Sequence, residues 1–193
     1  ACADKALASY GFPGHTMEEY RTYIGNGIPK LVARAVPPGT SEEDIQKVLN
    51  FYLSYYPEHC AEHTRFFLGV EETIRTLHER GYLLAVLSNK TEATAKKIID
   101  RYFPDAPFCV VWGNNGVRPL KPATDAGYLL LSELGCGPEE VFYVGDGDTD
   151  MEFASRMGFF AAGATWGYRP SEVLKRCGAD ALFSSMEEIL PYL

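Results

Sequence analysis

Hydrophobic positions follow two regimes along the chain. From Ala1 to about His63 every periodic stretch has helical spacing. Ala3, Leu7 and Tyr10 share one face, and Gly11 with Pro13 ends that helix. Thr16 and Glu19 are spaced as a capping box for a second helix running toward Gly25. Ile28, Leu31, Val32 and Ala35 mark a third, stopped by Pro37-Pro38-Gly39. Ser41 caps a fourth, whose apolar side carries Ile45, Val48, Leu49 and Tyr52. Four short helices in succession predict a small bundle.

Past Leu68-Gly69-Val70 helix and strand patterns alternate. Helices are predicted over 70–80, 91–102, 124–134, 148–157 and 171–176, with a last one capped by Ser185 and Glu188. Strands are predicted over 82–87, 108–112, 141–144, 159–164 and 181–183. The first of these is apolar without interruption, as in a strand covered on both faces. Such alternation predicts an α/β fold, a parallel sheet with helices on both faces. The chain thus divides into a helical block over 1–63 and an α/β block over 64–193.

Composition narrows the partners. Net charge is −8, and an acidic surface repels polyphosphate backbones and anionic lipid. Nucleic acid and membrane are therefore not expected as partners. A small anionic substrate is compatible, because a bound cation dominates the field inside a pocket. No apolar run approaches the roughly 18 residues that span a bilayer. Five scattered cysteines without a C-x-x-C pair fit a reducing cytoplasm better than a disulfide framework or a zinc ribbon.

In an open parallel sheet, ligands bind beyond the carboxyl ends of the strands. Three polar clusters are expected there. Ser88-Asn89-Lys90 offers a hydroxyl and an amide that can donate to an anionic oxygen, although Ser88 could equally cap the next helix. In Gly145-Asp146-Gly147-Asp148-Thr149-Asp150, three carboxylates fall within five residues. At about 6 Å and an effective dielectric of about 20, each pair repels by about 3 kcal/mol. A hard divalent cation relieves this, and Mg²⁺ suits one or two carboxylates with water. The run is not a calcium loop, since Met151 and Met157 replace its glycine and its bidentate glutamate. The third cluster is Lys121, stiffened by Pro119 and Pro122. His59-Cys60-Ala61-Glu62-His63 matches an H-x-x-E-H zinc pattern, but no later helix offers a third ligand, and a solvated junction is expected.

A serine after one strand, a lysine before the next helix, and G-D-x-x-x-D after the following strand together resemble the haloacid dehalogenase superfamily. The leading helices resemble that superfamily's helical cap. Gly25-Asn26-Gly27 and Leu87-Ser88-Asn89-Lys90 are most similar to the bacterial phosphoglycolate phosphatases, and the similarity covers essentially the whole chain. It implies a Rossmann-like core and a cytoplasmic, Mg²⁺-dependent phosphatase, monomeric or homodimeric, acting on a small phosphorylated metabolite through an aspartyl-phosphate. Carried over, Ser88 and the Asn89 backbone would bind the phosphoryl group, and Lys121 would neutralise nucleophile and phosphate charge. Asp146 would ligate Mg²⁺, with Asp150 supporting it directly or through water. Gly25, Asn26 and Gly27 would close over the substrate.

The family's opening strand ends in D-x-D-G-T, which occurs nowhere in the 193 residues. Its first aspartate attacks phosphorus and its second is the general acid/base. The resemblance puts that strand mid-sheet, beside those ending at Leu87 and Val144. A segment of roughly 20 residues ahead of Ala1 is accordingly expected. Two rival readings are a sugar-phosphate mutase of the same fold and a non-catalytic binding protein. The first needs a second basic phosphate site, and Lys5, Arg21, Lys30, Arg34 and Lys47 form no cluster in sequence. The second has no use for Ser88, Lys121, Asp146 and Asp150 together.

Overall fold

The computed structural model describes residues 2–105 and 107–193, so Ala1, expected in the first helix, lies outside them. Four helices come first: α1 (Cys2–Ala8), α2 (Met17–Tyr23), α3 (Ile28–Ala35) and α4 (Glu42–His59). They bury one shared cluster, with Leu7, Tyr20, Leu31, Val32, Val48 and Tyr52 at its centre. The capping box forms as predicted. Thr16 Oγ1 accepts from the Glu19 N–H at 3.3 Å, and the Thr16 N–H donates to Glu19 Oε2 at 2.8 Å. Ser41 caps α4 by accepting from the Asp44 N–H.

The remainder alternates: α5 (Val70–Glu79), β1 (Leu84–Thr91), α6 (Glu92–Tyr102), β2 (Phe108–Asn114), α7 (Asp125–Leu134), β3 (Phe142–Gly145), α8 (Asp148–Met157), β4 (Phe160–Ala164), α9 (Ser171–Arg176) and β5 (Ala181–Phe183). Every strand pairing is parallel. Successive residues of β4 face opposite sides, as strand geometry requires. Ala161 joins a cluster with Met151, Phe153 and Ala154 of α8 and Leu174 of α9. Ala162 joins another with Leu77 of α5 and Ile189. Both faces are thus covered, and the α/β class expected from the alternation is present.

Three details differ from the prediction. The first strand begins at Leu84, not at 82, because Tyr82 belongs to the end of α5. Gly81 takes φ +84°, and the Tyr82 N–H returns to the Leu77 carbonyl at 3.0 Å, the 6→1 bond of a Schellman cap. Tyr82 and Leu83 are consequently exposed, and β1 is only half-buried. The segment after Ser185 is a 3₁₀ stretch, Met186–Tyr192, with Pro191 inside it. Proline removes an N–H that an α-helix would use. Finally, the described strands form two sheets, β1–β2 and β3–β4–β5, with β1 and β3 not paired to each other; these are the strands between which the resemblance sets the family's opening strand.

Candidate active site

The site lies at the carboxyl ends of β1 and β3, the ends at which the polar clusters were expected. Ser88, Asn89 and Lys90 do not follow β1 but bulge out of it. Leu87 pairs with Trp112 and Thr91 with Asn114, so three residues on β1 stand opposite Gly113 alone. A bulge of this kind turns side chains away from the ladder. Gly113 is what permits it, since a Cβ there would meet the Glu92 Cα at 2.5 Å and the Lys90 carbonyl at 2.7 Å. Ser88 Oγ accepts from the Lys90 N–H at 3.2 Å and lines a depression shared with Asn89, Asn114, Arg118 and Lys121.

The Asn89 side chain is a tie. Its Oδ1 accepts from the Lys121 N–H at 2.9 Å, and its Nδ2 donates to the Lys121 carbonyl at 3.1 Å and the Gly25 carbonyl at 3.3 Å. One amide thereby fixes the lysine loop and reaches the helical block. The Gly25-Asn26-Gly27 segment is accordingly brought to the strand ends. Gly27 begins α3, and a Cβ on it would lie 3.4 Å from Leu120 Cδ1. Asn26 sits between the two glycines.

Lys121 follows a proline-stiffened loop and precedes a cis peptide to Pro122. Its ammonium donates to the Leu87 carbonyl at 2.6 Å, Asp150 Oδ1 at 2.7 Å and the Tyr143 hydroxyl at 2.8 Å. Three acceptors satisfy the three protons an ammonium carries. Burial alone would lower the lysine pKa, but Tyr143 and Asp150 beside it reverse this and hold it above the usual value. Lys121 therefore stays charged. Burial pushes the Tyr143 phenol up to about 12, with Asp150 acting in the same direction and Lys121 against it.

The acidic triplet is divided among three partners. Asp150 takes Lys121 and also accepts the Gly147 N–H at 2.9 Å. Asp148 takes Arg169, Nε to Oδ1, at 3.0 Å. Asp146 accepts the Tyr168 N–H at 3.0 Å and is in no ion pair among the described residues. Burial, followed by the charge of Asp150, raises its pKa above the usual carboxylate value. The expected mutual repulsion of three acids is thus relieved for two by internal cations, leaving Asp146. Among the described residues no group of three or more His, Cys, Asp or Glu side chains is assembled for a metal. Mg²⁺ commonly takes only one or two protein carboxylates, completing its shell with water and substrate phosphate. Asp146 with Asp150 fits that requirement, and a half-buried carboxylate in no ion pair among the described residues is where positive charge is wanted. The His59–Glu62 pair is closed on itself, Nδ1 to Oε1 at 2.6 Å, as a junction residue pair would be.

Four contributors escaped the sequence reading: Gly113, Tyr143, Gly167 and Arg169. A Cβ on Gly167 would lie 2.1 Å from Asp146 Cβ and 2.2 Å from its Oδ2, so only glycine leaves room for that carboxylate. Nothing in the local pattern marks it, because its neighbour is 21 residues away. Tyr143 did carry a signal. A phenol inside a buried strand needs a polar partner, and it stands just ahead of Gly145-Asp146.

Comparison with known proteins supplies the family. The family model described as haloacid dehalogenase-like hydrolase matches residues 1–164. A phosphoglycolate phosphatase of Haemophilus influenzae (strain 86-028NP) is 29% identical over 197 residues, spanning 98% of this chain and 88% of the relative. One of Salmonella typhi is 29% identical over 213 residues, spanning 100% and 84%. The crystal structure of a predicted phosphoglycolate phosphatase from Haemophilus somnus 129pt superposes with a TM-score of 0.91 at 26% identity, covering 99% of this chain and 88% of that one.

Proposed function

This chain belongs to the haloacid dehalogenase-like hydrolase family, and we propose that it serves a Mg²⁺-dependent phosphatase of a small phosphorylated metabolite, with 2-phosphoglycolate or a close relative as substrate. The observation that carries the reading is Lys121. Its buried ammonium is held by the Leu87 carbonyl, Tyr143 and Asp150, and it lines one depression with Ser88. A fixed cation beside a hydroxyl donor stabilises charge on a transferring phosphoryl group without reorganising. Residues 1–63 act as a cap over a core formed by 64–193.

In this mechanism the nucleophile is the first aspartate of the D-x-D-G-T motif that the family resemblance implies, and its carboxylate attacks phosphorus as the ester P–O bond breaks. The leaving oxygen takes a proton from the motif's second aspartate, which then accepts one from the attacking water. Water then attacks the aspartyl-phosphate and releases inorganic phosphate. Ser88 orients the phosphoryl oxygens, and Lys121 offsets the charge of nucleophile and phosphate. Asp146, supported by Asp150, would hold Mg²⁺, which would supply further charge neutralisation there. The five cysteines are all free thiols, which supports a cytoplasmic setting. Among the described residues no helix is long and apolar enough to cross a membrane. Either a monomer or a homodimer is compatible with this reading.

The test is phosphate release from 2-phosphoglycolate by the full-length protein. EDTA should abolish it and added Mg²⁺ restore it. Turnover that persists in EDTA overturns the metal assignment, and the absence of turnover on any phosphomonoester overturns the function.

A further inference from the structure

One guanidinium joins the helical block to the carboxylate loop. Arg169 Nε donates to Asp148 Oδ1 at 3.0 Å, Nη2 to the Ile24 carbonyl at 2.7 Å, and Nη1 to the Arg21 carbonyl. Its own N–H donates to the Asp146 carbonyl at 3.2 Å, so its base is anchored where β3 ends. The side chain is only 13% exposed.

The carbonyls it takes are those α2 cannot satisfy itself. The last carbonyls of a helix have no intrahelical donor. Tyr20 keeps its bond from the Ile24 N–H, but Ile24 itself is extended (φ −76°, ψ 153°) and turns the next N–H away from the Arg21 carbonyl. Arg34 serves the Tyr23 carbonyl at 3.0 Å, and Arg169 serves Arg21 and Ile24 from the other block. Gly25 is pressed against this bridge, since a Cβ there would meet Arg169 Nη2 at 3.1 Å and Asp148 Oδ1 at 3.8 Å. Asn89 holds the same Gly25 by its carbonyl. The short segment between α2 and α3 is thus fastened on one side to the phosphate-binding bulge and on the other to the carboxylate loop.

We infer that Arg169 is a positioning residue that caps the end of α2 across the block boundary and seats Gly25-Asn26-Gly27 over the site. The kinetic side of this rests on the phosphatase reading above; the seating does not. A lysine cannot replace it, because a single ammonium lacks the planar fork that meets one carboxylate and two carbonyls together. Asp148 contributes as the anchor of that fork, not as a metal ligand.

The experiment compares full-length wild type with Arg169→Ala, Arg169→Lys and Asp148→Asn. Amide hydrogen exchange over residues 21–27 and steady-state kinetics on 2-phosphoglycolate are read together. Both Arg169 variants should speed exchange in that segment and lower kcat/KM roughly tenfold to a hundredfold, the cost of a misplaced positioning group. Asp148→Asn should move both in the same direction by less. Methylguanidinium at tens of millimolar should restore Arg169→Ala but not Arg169→Lys, whose side chain fills the cleft; a purely structural role predicts no such rescue. Unchanged exchange, unchanged kinetics, or full activity in Arg169→Lys would each overturn the inference. Should Arg169→Ala not fold, Arg169→Lys and Asp148→Asn decide it. If wild type hydrolyses no phosphomonoester, the functional reading falls and exchange alone decides the seating.

Discussion

Lys121 Nζ lies 2.7 Å from Asp150 Oδ1, with the two side chains 9% and 15% exposed. The pair joins a loop ahead of α7 to the first turn of α8, and Lys121 reaches the end of β1 as well. A buried pair of this kind costs desolvation, and breaking it strands the remaining charge. Lys121→Met should therefore destabilise the protein by about 3 kcal/mol and reduce kcat/KM by about 10²–10³-fold. Adding Asp150→Asn should return part of the stability and none of the activity. Urea unfolding of the single and double variants would check this, and equal stability of the two would refute the pairing argument.

Tyr143 gives Lys121 its third acceptor at 2.8 Å while its ring packs against Phe153 and Phe159. Tyr143→Phe keeps the ring and removes the oxygen. One lost hydrogen bond to a charged group predicts a loss of about 1.5–3 kcal/mol. The variant should lower kcat with little change in KM, because the lysine loses orientation and not its charge. A rise in KM alone would place Tyr143 in ground-state binding instead.

Gly167→Ala should act on Asp146 without touching its chemistry. The new methyl falls on the carboxylate, 2.1–2.5 Å from its atoms, so the acid must move. Phosphatase activity at limiting Mg²⁺ should fall roughly a hundredfold and recover in part at saturating metal. Wild-type activity in this variant would show that Asp146 is not the residue that holds the ion.

The cap of α2 should be pH-dependent. Hydrogen bonds from the Thr16 N–H and hydroxyl to Glu19 lower the Glu19 pKa below its usual value. A depressed carboxylate contributes stability that is complete above its unfolded pKa and disappears as pH falls through the folded one. Protection of the α2 amides in wild type should thus exceed that in Glu19→Gln at neutral pH. The two should converge in acid. Identical protection at both would remove the capping box from the account.

Much of this was legible in one dimension. Helix boundaries at Thr16 and Ser41 are local, since cap and capped amide lie three residues apart, and Ser88, Lys121, Asp146 and Asp150 stand in recognisable order at strand ends. What sequence spacing could not carry is steric or crosses the chain. Gly167 is required by an aspartate 21 positions earlier, and Arg169 by carbonyls of residues 21 and 24. The acidic triplet was legible only as adjacent acids, since spacing does not show that Asp148 has its cation in Arg169. The early start assigned to the first strand failed for a similar reason: apolar character at 82–83 says nothing of the Schellman bond that commits Tyr82 to the helix.

That β1 and β3 are not paired to each other has a consequence for how the molecule loses function. Lys121 contacts strands on both sides of it, through Leu87 on one and Tyr143 with Asp150 on the other. The reactive centre therefore depends on both ladders holding their places and not on either one alone. In rising urea, catalysis by the full-length protein should disappear no later than the far-ultraviolet signature, because displacing either strand end breaks the site.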